Sequence, residues 1–339
     1  MEYNFQILTD GVSDLRHTWL EKHPYVSIVD TPITVFSGPG KDFSLSHLSA
    51  DDFTKIEDYI KQGYRAITSQ PQVYDPGCES HDSVETITRH YLDEGKDVIY
   101  VVMNSSLSGT FGTVSMFYEE LQEEYQGRGR KVICVDSECM STGLAMLIID
   151  IAKAVEAGNL TDVDQIATFV SQQRSHIGHF FTWSELSYIK KSGRVSSTSA
   201  LAGNILGLRL FCSAQYLPDG SRKLEHVTPD RVPMLKLRGL NRFAEVLSIY
   251  ASRHIVDPKG DIIIAHGNAP YDATIIQKHF LRVLPEANYL IGNEWRCGAG
   301  IQAHGGPTSI HVNFHTIDTG IFDETIAEVE QIIRDTYRL

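Results

Sequence analysis

Basic charge is scarce in these 339 residues: 30 Lys and Arg stand against 43 Asp and Glu, a formal net charge of −13. Phosphate backbones and anionic lipid surfaces both select for Lys and Arg, so non-specific nucleic-acid binding and membrane docking are disfavoured. Long apolar runs are missing too. The richest, Leu144 to Val155, is interrupted by Asp150 and Lys153, well short of the ~20 residues a spanning helix needs. Stable membrane insertion is not expected. The five cysteines, Cys78, Cys134, Cys139, Cys212 and Cys297, are scattered and form no Cys-x-x-Cys. That pattern argues against a disulfide framework or a structural zinc site and fits a reducing compartment. The opening Met1-Glu2-Tyr3-Asn4 lacks the basic start of a secretory signal, so the expected location is cytoplasmic. Two catalytic loops are also missing: the Gly-x-x-x-x-Gly-Lys-Ser/Thr of nucleotide hydrolases and the Gly-x-Ser-x-Gly of serine hydrolases.

What is present is an ordinary globular composition, 42% hydrophobic and 22% charged, in a chain long enough for two domains. The first half repeats one unit: a β-branched or aromatic run, a loop rich in hydroxyl residues, then a helical pattern. Phe5–Leu8 leads into Thr9–Asp14, Tyr64–Ile67 into Thr68–Pro71, Val98–Met103 into Asn104–Thr110, and Val132–Val135 into Asp136–Glu138. Near-continuous apolar runs are typical of strands buried on both faces of a parallel sheet. The intervals carry helical stripes such as Phe53, Ile56, Tyr59 and Ile60 after a Ser49–Asp52 cap, and Ile166, Phe169 and Val170 after Thr161.

Beyond about residue 175 the rhythm changes. A short helix is expected over Ser197–Leu206 and a turn at Pro218-Asp219-Gly220. Helices are expected over Pro233–Ser252, Tyr271–Val283 and Asp323–Tyr337, with strands at Ile262–Ala265, Tyr289–Gly292 and Ile310–Phe314. The fold class is therefore α/β in two domains. Residues 1–175 form a doubly wound, three-layer α/β/α domain with a parallel sheet, and 176–339 an α/β domain with a mixed sheet. In a doubly wound sheet the loops after successive strands gather at one edge, where ligands bind. All four hydroxyl-rich loops are expected there.

Among those loops, Asn104-Ser105-Ser106-Leu107-Ser108-Gly109-Thr110 runs from a strand into a helix over Phe111–Glu124. Ser108 then stands at a helix N-terminus, where free amides and the dipole favour an anion, and Gly109 lets a ligand approach the backbone. The plainer alternative is helix capping by serine. Thr68-Ser69-Gln70-Pro71 offers further neutral donors, or an ordinary turn before proline. Cys139-x-Ser141-x-Gly143 lacks the first glycine of a nucleophile elbow. Gly298-Ala299-Gly300-Ile301-Gln302-Ala303 matches a dinucleotide fingerprint in letters alone, far from any opening βαβ unit. His304-Gly305-Gly306-Pro307 reads as a rigid, exposed turn whose histidine can donate to an anion or act as acid or base. No His spacing favours a metal, and His176-x-x-His179 reads as structural. Lys190–Arg194 and the Lys236-Leu237-Arg238 stretch with Arg242 are basic islands in an acidic chain, suited to steering an acidic partner.

Taken in order, these loops resemble the DegV family of fatty-acid-binding proteins. Thr9–Leu15 resembles T-D-S-T-A-D-L; Thr68–Pro71 matches T-S-Q-P; Ser105–Thr110 is similar to S-S-x-L-S-G-T. Asp136-Ser137 with Ser141 and Gly143 resembles D-S-x-x-x-S-x-G, Leu186–Val195 resembles L-x-Y-L-K-K-G-G-R-I, and His304–Pro307 resembles H-x-G-P-G. The resemblance implies two α/β domains holding one long-chain fatty acid between them, with Thr68 and Ser108 bonded to its carboxylate and Ser69, Ser106, Gly109 and His304 nearby. It further implies a non-catalytic, bacterial protein needing no cofactor. Such a protein presents its acid to a separate ATP-binding fatty acid kinase subunit that makes acyl phosphate, with Arg238 a docking candidate. Departures from the family pattern stand at Gly11, Val12, Ser192, Arg209 and Thr308. The rival reading from the residues is a serine-dependent hydrolase or acyltransferase using Ser108 or Ser141 as nucleophile and His304 as base. A generic nucleotide-binding α/β protein ranks last.

Overall fold

The computed structural model describes residues 3–36, 43–45, 53–62, 64–68, 71, 73, 83–105, 107–191, 208–213, 234–317 and 322–337. They belong to two compact units, Met1–Arg174 with Gly298–Gly300, and Ser175–Cys297 with Ile301–Leu339.

In the first unit the chain runs β1 (Phe5–Asp10), a 3-10 turn (Gly11–Ser13), α1 (His17–Leu20), β2 (Val26–Val29), β3 (Ile33–Phe36) and β4 (Phe43–Leu45). It continues through α2 (Phe53–Lys61), β5 (Arg65–Thr68), α3 (Val84–Asp93), β6 (Asp97–Val102), α4 (Thr110–Gln126), β7 (Val132–Asp136), α5 (Ser141–Glu156) and α6 (Val163–Gln173). Strands β2-β1-β6-β7 form a sheet in which every pairing is parallel. Leu8, Val98, Tyr100 and Val102 join a buried cluster with Val84 and Leu92 of α3 and Val114, Phe117, Tyr118 and Leu121 of α4. Alternation along a strand sends Ile7, Ile99 and Val101 to the other face, where α6 packs on β6 and β7 and α5 on α6. Helices on both faces are what buried, near-continuous β runs require.

One of the four expected parallel strands is elsewhere. Arg65–Thr68 pairs antiparallel with β3 at the edge of a separate three-stranded sheet, β4-β3-β5. Of its four residues only Ala66 is buried and Arg65 is exposed, the mark of an edge strand. A run so short carries no signal for sheet type. The fourth parallel strand is Val26-Ser27-Ile28-Val29. The cap of α6 also moves by one residue: Asp162, not Thr161, accepts the N–H of Gln165. The Ser49–Asp52 cap lies outside the described residues.

The second unit contains β8 (Ile177–Trp183), α7 (Ser187–Lys191), β9 (Leu208–Ser213), β10 (Met234–Arg238), α8 (Leu240–His254) and β11 (Asp261–His266). It ends with α9 (Pro270–Val283), β12 (Asn288–Arg296), α10 (Ala299–Gly305, its first two residues in the first unit), β13 (Ser309–His315) and α11 (Phe322–Tyr337). The sheet order is β10-β9-β8-β13-β11-β12, antiparallel except for the parallel pair β11–β12. This is the mixed sheet. One face packs on α8, α9 and α11 through Phe180, Ile262, Ile264, Ile310, Val312 and Phe314.

The single helix expected over Pro233–Ser252 is a strand followed by a helix. Gly239, at φ +77°, separates them, and Met234-Leu235-Lys236-Leu237-Arg238 alternates at the strand period. Lys190 and Lys191 end a short helix rather than lying in a turn. Ser192–Arg194, Ser197–Leu206 and Pro218–Gly220 lie outside the described residues. No helix among the described residues is long and apolar enough to cross a membrane.

Candidate functional site

Three buried carboxylates organise the loops at the carboxyl ends of the parallel strands. Asp10, last residue of β1, accepts the Tyr100 hydroxyl at 2.9 Å and the Met103 amide at 2.5 Å. Asp136, last residue of β7, accepts the amides of Ser105 at 3.2 Å and Glu138 at 2.9 Å. The start of the Ser105–Gly109 loop is thus held on both sides. Burial pushes Asp10 up to about 6, the Met103 and Tyr100 hydrogen bonds opposing it and the Asp136 charge adding to it. Burial likewise raises Asp136.

Asn104 then sets the path of the loop. Its amide donates to the Cys139 carbonyl and its side chain to the Glu138 carbonyl. Its own carbonyl accepts the amides of Leu107 and Ser108. Glu138, at φ +56°, is fixed by Arg174, whose guanidinium also donates to the Asp136 carbonyl. Ser108 arrives just before the N-cap of α4, Gly109. Its Oγ lies 2.8 Å from Thr110 Oγ1 and accepts the Thr110 amide at 3.3 Å. Ser108 is thus at the helix N-terminus but is not its N-cap: that position is Gly109, which makes no side-chain cap bond. Ser106 lies outside the described residues.

Asp14 organises the neighbouring loop. It sits at φ +58°, accepts the Ser141 hydroxyl at 2.5 Å and accepts the Gly298 amide at 2.8 Å. Burial raises it to about 6, against the Ser141 and Gly298 hydrogen bonds and the nearby Arg16 charge. Ser141, proposed from sequence as a nucleophile, is fully buried with its hydroxyl committed to this carboxylate. Gly298–Gly300 packs tightly here. A Cβ on Gly300 would stand 2.6 Å from Val12 Cγ1 and 3.5 Å from Thr68 Cγ2. Thr68 is therefore brought beside the first loop although β5 is not in the parallel sheet. Ser69 lies outside the described residues.

The departures from the family pattern acquire physical reasons. A side chain at Gly11 would crowd Thr31, its Cβ 3.2 Å from Thr31 Oγ1. Val12 is buried against Gly300. Ser13, where the pattern has alanine, holds a buried hydroxyl with no hydrogen-bond partner among the described residues, a donor that no sequence motif marks. Thr308 accepts the Glu185 amide at 3.2 Å. Ser192 lies outside the described residues, and nothing in the structure explains Arg209.

His304 is not in an exposed turn. It is half-buried in the last turn of α10, with Gly305 and Gly306 buried after it. A Cβ on Gly305 would meet Trp183 Nε1 at 2.7 Å, and one on Gly306, at φ +70°, would meet the Tyr188 ring at 2.3 Å. Only glycines let the two aromatic rings close over this turn. Among the described residues no group of three or more His, Cys, Asp or Glu is placed to hold a metal ion.

Residues 4–315 match the model of a family described as uncharacterised protein, DegV family. The chain is 27% identical over 225 residues to a DegV domain-containing protein of Clostridium perfringens, covering 66% of this chain and 71% of that one. A DegV family protein from Eubacterium eligens, its structure loaded with heptadecanoic acid, is similar with a TM-score of 0.70 at 16% identity, over 92% of this chain and 99% of that one. The Streptococcus pneumoniae fatty acid kinase (Fak) B3 protein, loaded with linoleic acid, is similar with a TM-score of 0.69 at 13% identity, over 92% and 99%. At such identities the likeness is one of fold.

Proposed function

The chain belongs to the DegV family, and from that premise we propose that it binds a long-chain fatty acid by its carboxylate and carries it without catalysing a reaction itself. The observation that carries this reading is the start of α4. Ser108 stands there two residues ahead of the helix start at Thr110, whose first-turn amides have no intrahelical carbonyl to bond and lie at the end favoured by anions. Thr68 and Ser108 are the proposed hydrogen-bond donors to the carboxylate, with Ser69, Ser106 and Gly109 beside them. His304 adds an imidazole. Neutral donors suit a chain whose nearby carboxylates are already protonation-prone, because they hold the headgroup without another buried charge. Burial of the acyl chain supplies affinity of roughly 0.8 kcal/mol per methylene. The heptadecanoic and linoleic acids in two structures of the same fold support this ligand class.

The second part of the proposal is a partner. The loaded acid is presented to a separate ATP-binding kinase subunit, which transfers phosphate to the carboxylate. Likeness to the Fak B3 protein supports this. So does the place of Arg238, last residue of edge strand β10 and next to the helix start at Leu240.

Replacing Ser108 with alanine tests the headgroup assignment. A lost hydrogen bond to a charged group is worth about 1.5–3 kcal/mol, so long-chain fatty acid should bind roughly 10- to 100-fold more weakly, with circular dichroism unchanged. Unchanged affinity would refute the role of Ser108.

A further inference from the structure

The turn after β7 carries a strained residue. Glu138 sits at φ +56°, a left-handed conformation that glycine adopts freely and a residue with a Cβ resists. Two anchors of the neighbouring loop hang on its backbone. The Glu138 carbonyl accepts the Asn104 side-chain amide at 2.9 Å, and the carbonyl of Cys139, the next residue, accepts the Asn104 backbone amide at 2.8 Å. The Glu138 amide bonds Asp136 Oδ1 at 2.9 Å, the same oxygen that accepts the Ser105 amide at 3.2 Å. Asn104 in turn accepts the Ser108 amide on its own carbonyl at 3.2 Å. Rotation of Glu138 into the right-handed region would swing its carbonyl away from Asn104 and loosen the segment that delivers Ser108 to the start of α4.

What opposes that rotation comes from the other end of the unit. Arg174 caps the end of α6 and is the last residue of the first unit. Its Nε stands 3.1 Å from Glu138 Oε1, each side chain only 15% exposed, so the pair is screened far less than one on the surface. Its Nη1 donates to the Asp136 carbonyl at 2.9 Å. One planar guanidinium therefore grips the turn twice, by the backbone before it and by the carboxylate within it, a geometry that the point charge of lysine cannot copy. Strain held in place by a partner from elsewhere in the chain is the kind of outlier from which a functional role can be inferred. Glu138 falls on a variable position of the Asp136–Gly143 motif, and Arg174 falls in none.

We propose that Arg174 is a positioning residue for the fatty-acid headgroup: by holding Glu138 left-handed, it keeps Asn104 and Ser108 in the arrangement that receives the carboxylate. The inference rests on the fatty-acid reading above. Without the guanidinium, the competent turn becomes one conformation among several, and apparent affinity falls by the fraction that remains competent. For a residue with a Cβ, the left-handed conformation is disfavoured by roughly 5- to 30-fold.

The test measures the affinity of the full chain for stearic acid by isothermal titration. Arg174→Met should bind roughly 5- to 30-fold more weakly than wild type, with circular dichroism unchanged. In that background Glu138→Gly should recover most of the loss and Glu138→Ala should not. Both remove the stranded carboxylate, and only glycine takes the left-handed conformation freely. Equal affinity of wild type and Arg174→Met, or equal recovery by glycine and alanine, would overturn the proposal while the fatty-acid reading stands. A wild type that binds no stearic acid would overturn both. Should Arg174→Met fail to fold, the wild-type background offers the same contrast. Glu138→Gly should there bind stearic acid at least about fivefold tighter than Glu138→Val, whose branched side chain resists positive φ most, and equal affinities would overturn the assignment.

Discussion

Replacing Gly300 by alanine places a methyl 2.6 Å from Val12 Cγ1, about 1 Å inside ordinary carbon–carbon contact. Helix propensity favours the change by up to about 1 kcal/mol, since Gly300 is the second residue of α10. Overpacking opposes it by roughly 1–3 kcal/mol, because Val12 is buried. The net expectation is destabilisation of about 1–2 kcal/mol. Val12→Ala alone removes two buried methyl-sized groups, a cost of about 2 kcal/mol with its cavity. In the double variant the new methyl enters the space that the valine vacates. The double should therefore be no less stable than Val12→Ala alone, a coupling of roughly 1–2 kcal/mol. Urea unfolding of the four proteins, followed by circular dichroism, measures it. Additive effects, within about 0.5 kcal/mol, would refute the claim that residues 298–300 are packed against the first loop.

Further expectations concern charge and backbone. Asp14 has a folded value of about 6 against an ordinary 3.8, so its contribution to stability is full below about pH 4 and is lost as pH rises through 6. Measured against Asp14→Asn, the wild type should gain up to roughly 3 kcal/mol on acidification from pH 7 to 4; a constant difference across that range would contradict a buried, protonation-prone carboxylate. The buried pair His179 and His311, hydrogen-bonded ring to ring, works in the opposite direction. His311, with a value near 3, contributes stability above its ordinary 6.5 that is lost as pH falls, so His311→Phe should flatten the acid limb of the stability curve. Gly306→Ala adds a methyl at φ +70° inside the Tyr188 ring, and should lower the midpoint of unfolding by more than an exposed Gly→Ala control at Gly95, also at positive φ but with open space around it.

Much of the first unit was legible because its chemistry is local. β1, β6 and β7 are largely apolar runs, β1 and β7 ending on an aspartate and β6 leading into the Asn104–Thr110 loop, and that pattern implies a covered parallel sheet. Arg65–Thr68 has the same letters in brief, but four residues cannot specify which sheet receives them. Pro233–Ser252 conceals a strand behind a glycine whose left-handed φ is a property of the fold. The carboxylates Asp10 and Asp14 stood in a recognised motif, yet their burial was not legible, since Asp is rarely buried unless hydrogen-bonded to groups that come from elsewhere. Asp14 bonds a glycine 284 residues away. Gly298-x-Gly300, a nucleotide fingerprint in letters, serves local packing: Asp14 accepts the Gly298 amide, and Val12 leaves no space for a side chain at 300. His179 and His311 are 132 residues apart, and only strand register joins them.

The central claim is tested most directly by native mass spectrometry of the freshly purified, full-length protein, followed by denaturation and identification of what is released. The account predicts one long-chain fatty acid per chain, lost or strongly reduced in Ser108→Ala. A protein that carries no lipid and takes up none when long-chain fatty acids are added would contradict it.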